Sequence, residues 1–224
     1  TLSLSRFERL VARELSSDGY EGDEKRRLVS LIVDAASHRL VFLTSRVKGE
    51  LAFEVRSLQE FMAAECLMSG NEEIGERRLR AIAPIRYWRN VFVFAASKCF
   101  RDARARHLEA KPCILCEELT RAGDLWEITR AGPDLALDLL QSGAATQKPA
   151  HSRTLTRLAF ELLAEPDSLG ESEVVATAAH RLAQIFHPAN ESLYRDLLER
   201  YIGQASPVKA LSARNWLPSM PWPI

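Results

Sequence analysis

Along the first seventy residues the apolar positions change period twice. Leu4, Phe7, Leu10, Val11 and Leu15 recur every three or four places, one face of an amphipathic helix that stops at the stretch SSDGYEGD. A second helix, from about Asp23, carries Leu28, Leu31, Ile32 and Ala35 on the face predicted to point inward. LVFLTSRVKGELAFEV then reads as two short strands around a Lys48-Gly49 turn, the glycine supplying the positive φ that a tight hairpin needs. Phe53 and Val55 alternate with Glu54 and Arg56, and from Ser57 the period lengthens again. Leu58, Phe61, Met62 and Leu67 share one helical face, with Glu60 and Glu65 opposite. Ser57 followed by Glu60 spells a capping box, in which each side chain satisfies an orphan backbone N–H near the helix start. Helices closed by a two-stranded ribbon describe a winged-helix domain over residues 1–69.

Beyond Gly70 no strand stands out and most segments have helical periods, which makes the chain mainly α. YWRNVFVFAASKCF, Tyr87 to Phe100, is apolar on nearly all sides and predicts a buried helix, with strand as the minority reading. Pro112 suits the first turn of a helix running to about Arg121. Further helices are predicted near Pro133–Leu140, His151–Leu163, Ser172–Phe186 and Ser192–Ile202. Their starts recur about every twenty residues, the spacing of stacked helix pairs in HEAT-like or tetratricopeptide-like solenoids. No repeat consensus accompanies the spacing, so an irregular bundle stands beside the solenoid as the architecture of residues 70–205. Residues 206–224 form a tail in which Pro218, Pro221 and Pro223 forbid helix. Its Trp216 and Trp222 are candidates for a partner contact, or for a cap over the end of the helical stack.

Composition narrows the function classes. Thirty basic residues balance thirty acidic ones, so no global field favours nucleic acid or an anionic membrane. The basic runs Lys25–Arg27, Arg77–Arg80 and Arg101–His107 lie among acids and read as solvated helix faces. No apolar run approaches the roughly 20 residues of a membrane span. The N-terminus lacks Met and a signal-peptide pattern and begins within a helical period, which suggests a piece of a longer, cytoplasmic protein. Cys66, Cys99, Cys113 and Cys116 fit a reducing compartment, and the lone Cys113-x-x-Cys116 has no partner pair for metal or redox chemistry. The five histidines are dispersed, and no phosphate loop of the G-x-x-x-x-G-K-[ST] type occurs. The residues therefore predict no catalytic, cofactor or metal site and no enzyme activity in this chain.

The strand-to-helix junction carries one resemblance. Phe53, Ser57, Leu58, Gln59, Glu60, Phe61, Ala63 and Ala64, followed by Trp88 and Val91, resemble the end of the nucleotide-switch module of NACHT-type STAND NTPases. There a wing strand leads into a pattern like F-x-H-x-S-[FL]-Q-E-[FY]-x-A-A, and a helix opening W-x-x-V follows. The resemblance covers about residues 1–100. It implies a winged-helix and helical regulatory region, non-catalytic by itself, of a NLR-like signalling ATPase whose core would hold ATP or ADP and Mg²⁺. The implied partners are that ATPase core and a protein or other ligand on the helical region, with oligomerisation of the parent, in bacteria often for defence against phage. Val55 stands where the family has a histidine that reaches the β-phosphate of ADP. Valine donates no hydrogen bond, and Arg56 beside it is predicted on the opposite side of the strand. Two rivals come from other classes: a DNA-binding winged-helix regulator with a helical dimerisation domain, and a helical-repeat adaptor. Within the junction the resemblance and the pattern together make Phe53, Leu58, Phe61 and Met62 core residues, with Gln59 and Glu60 the polar cap and contact residues.

Overall fold

Periodicity becomes structure first in α1, Leu4–Ser17. Leu4, Phe7, Leu10, Val11 and Leu15 are half-buried there, while Ser5, Arg6, Glu8, Arg9, Arg13 and Glu14 are exposed. In this computed structural model the described residues are 2–38, 43–44, 50–53, 55–163, 172–186 and 190–204, so the Lys48-Gly49 turn, Trp216 and Trp222 lie outside them. The chain divides into two compact units, Thr1–Ala63 and Ala64–Ile224.

In the first unit α1 ends in a Schellman motif. The Tyr20 N–H donates to the Leu15 carbonyl at 2.9 Å and the Gly19 N–H to Ser16 at 3.1 Å. Gly19 takes the required left-handed turn at φ 89°. Helix α2, Gly22–His38, then opens with Asp23 and Glu24, whose charges suit a helix N-terminus. Its buried stripe is turned from the predicted one. Leu28 and Ala35 are half-buried as expected, but Leu31 is 53% and Ile32 38% exposed, while Val29, Val33 and Ala36 point inward. Successive residues lie about 100° apart on a helix, so a stripe centred one position later leaves Leu31 outside it.

Among the described residues, three short strands complete this unit: β1, Leu2–Ser3; β2, Leu43–Thr44; and β3, Glu50–Phe53. They pair antiparallel in the order β1-β3-β2, with Leu2 opposite Leu51 and Leu43 opposite Phe53. Two of these strands fall within the segment LVFLTSRVKGELAFEV, whereas the N-terminus, predicted as helix from its start, contributes β1. The predicted second strand extends too far, because β3 stops at Phe53 and Val55 lies in a bend. Helix α3, Arg56–Leu67, begins immediately afterwards. The Val55 carbonyl accepts from the N–H groups of Leu58 and Gln59, at 3.1 and 3.2 Å. Ser57 therefore sits inside the first turn rather than at the cap. Glu60 accepts from Arg56 Nε at 3.0 Å, an i,i+4 pair, so Arg56 belongs to the helix and not to the strand.

The second unit is helical among its described residues: α4 Glu72–Ile82, α5 Arg89–Arg101, α6 Lys111–Thr120, α7 Leu125–Ile128, α8 Ala131–Gln141, α9 Pro149–Phe160, α10 Ser172–Gln184 and α11 Glu191–Gln204. Helix α4 was not anticipated, although Asn71 marks it, accepting from the Ile74 N–H at 3.0 Å. Helix α5 is the predicted buried helix, with Val91, Phe92, Ala95, Ala96, Cys99 and Phe100 inside. Pro112 occupies the first turn of α6. Helix α8 is the hub, packed against α5, α6, α7, α9 and α10, an arrangement closer to an irregular bundle than to a linear stack. Its Leu135, Ala136, Leu137 and Leu139 have no solvent exposure. Gly132 lets its first turn meet α6, since a Cβ there would lie 2.3 Å from the Cys116 carbonyl oxygen and from Thr120 Oγ1. Farther along, Tyr194 packs edge-on against both Phe160 and Phe186, with centroids 5.1 and 5.3 Å away.

Candidate functional site

The junction residues were expected to form a packed core, and the structure corrects this. Phe53 and Leu58 are half-buried, Ser57 and Gln59 are exposed, and Val55 is 45%, Phe61 43% and Met62 48% exposed. The buried position on α3 is Ala64. Of the predicted stripe Leu58 and Leu67 are half-buried, while Phe61 and Met62 are exposed. In the second unit Trp88 is 38% exposed and packs edge-on to Tyr87 at 5.5 Å, while Val91 three residues on is buried.

Folding also creates polar clusters that no local motif announced. Arg89 at the start of α5 donates from Nη2 to Asp134 at 3.0 Å, and its Nε lies 3.2 Å from Asp138 Oδ2. Arg181 of α10 binds the same two carboxylates and reaches Gln141 from Nε at 2.9 Å. Asp134 and Asp138 are one turn apart on α8, so two arginines from different helices clamp one face of the hub. Burial, then the neighbouring Asp134 charge, pushes the Asp138 carboxyl up against the pull of Arg89 and Arg181. The two arginines and two carboxylates are paired with one another, which describes a helix clamp, although the buried Arg89 Nη1 finds no hydrogen-bond partner among the described residues.

A second cluster has the outline of a nucleophile triad. Cys113 Sγ lies 3.6 Å from His151 Nδ1, His151 Nε2 lies 3.2 Å from Glu109 Oε1, and Lys148 Nζ donates to Glu109 at 2.7 Å. Sequence spacing missed it because the participants lie 38 and 42 residues apart. Its chemistry is wrong for attack. Cys113 is 5% exposed, and burial pushes its thiol up to about 12, so the sulfur is protonated at neutral pH and shielded from substrate. Cys116 is wholly buried and its thiol is also raised by burial. The cluster ties α9 to the N-terminus of α6. No group of three metal-binding side chains occurs among the described residues.

An open groove of about 880 Å³ remains, bounded by the end of α6, the turn into α7, α9 and α11. Arg121, Arg130, Arg157 and Arg200 line it, over apolar surface from Leu158 and Phe160. Ile128, 81% exposed, stands at its rim. Arg130 holds the left-handed conformation, φ 53°, that starts α8, and its guanidinium donates to the Glu161 carbonyl. Burial raises the Glu161 carboxyl, opposed by Arg121, Arg130 and Arg200. Each of these arginines looks like an ordinary solvated charge in the sequence, and only the fold gathers them. Compared with known protein families, curated proteins and solved structures, the chain matches none.

Proposed function

We propose that this chain is the regulatory region of a NACHT-like STAND signalling ATPase, a winged-helix domain followed by a helical region that receives a partner or ligand. In this reading it performs no chemistry itself, acts in the cytoplasm, and helps hold the parent ATPase inactive. The observation that carries it is the junction, where a wing strand ending at Phe53 passes into a helix at Arg56 with the motif residues Ser57 to Ala64 on that helix. The order β1-α1-α2-β2-β3, with sheet order β1-β3-β2, supports the winged-helix part. The DNA-binding rival is weakened by α2, whose exposed positions set Arg26 and Arg27 among the acids Asp23, Glu24 and Asp34 and the apolar Leu31 and Ile32, with Arg26 paired to Asp23, a mixed face poorly suited to phosphate. The adaptor rival keeps the helical unit as its working surface and differs only in needing no ATPase. The reading frame upstream of Thr1 in the parent gene tests the proposal. A phosphate loop followed by Mg²⁺-binding acids is expected there, and a start codon without them overturns it.

A further inference from the structure

We draw no further inference here: the strongest candidate, the exposed apolar patch of Ile85, Tyr87 and Trp88 between α4 and α5 of the helical unit, is an unpartnered face, and nothing in the structure shows what covers it.

Discussion

Gly132 shows how much a single hydrogen atom decides in this protein. A methyl group there would meet the Cys116 carbonyl, the Thr120 amide nitrogen and Thr120 Oγ1 within 2.3 to 2.7 Å, and backbone atoms do not yield cheaply. Gly132→Ala should therefore destabilise by about 3 kcal/mol in urea unfolding. Gly75→Ala is the contrast, because its added carbon would lie 3.2 Å from the flexible end of Leu108. The helix propensity gained there offsets the squeeze, and the change should stay within about 1 kcal/mol. The thiols are graded in the same way. Cys66 is exposed, whereas Cys99, Cys113 and Cys116 are buried. A thiol-reactive dye should modify Cys66 quickly and the others only on unfolding, and fast modification of a second cysteine in the native protein would contradict the packing. Little of this was legible in the sequence. Gly132 beside Pro133 looks like loop punctuation, and a Phe61 at helical spacing reads as core whether or not another element covers its face.

Helices with a wide apolar face were readable as elements; those held by caps or by distant charges were not. Helices α5, α6, α8, α9, α10 and α11 lie close to where periodicity and Pro112 place them. Helix α4 was hidden because GERRLR invites a reading as charge, while its start depends on Asn71 and its seat on Leu79, which is wholly buried. The four-residue α7 carries too few turns to show a period. Interactions between elements were the least legible, since Arg89 and Arg181 meet Asp134 and Asp138 across more than forty positions of sequence. Removing one arginine leaves two neighbouring carboxylates poorly answered. Arg89→Met should thus cost about 3 kcal/mol, and adding Asp138→Leu should restore part of it. A double-mutant cycle with a coupling below about 0.5 kcal/mol would show that solvent, not the clamp, satisfies these charges.

For the molecule as a whole, the acid side of the stability curve follows from two carboxylates. Lys111, and next Arg80, hold Glu76 below the usual glutamate range, and Lys148 with His151 does the same for Glu109. A carboxylate with a lowered folded pKa stabilises the native state above its unfolded value and loses that contribution as pH falls through the folded one. Asp138, whose carboxyl is raised, works in the opposite direction. Urea midpoints taken from about pH 6 down to about pH 3 should decline, and Glu109→Gln should make the decline shallower. An unchanged slope would mean that the Lys148 contact contributes nothing in solution. The central position of α8 has a consequence in time as well. A helix touched on every side has no way to open alone, so the amides of Leu135 to Leu139 should exchange with deuterium only when the whole helical unit unfolds. The amides of α7, one turn long and exposed at Leu125 and Ile128, should exchange orders of magnitude sooner. The gap between the two rates separates local opening of α7 from global unfolding, with the α8 amides as the measure of the whole unit's stability.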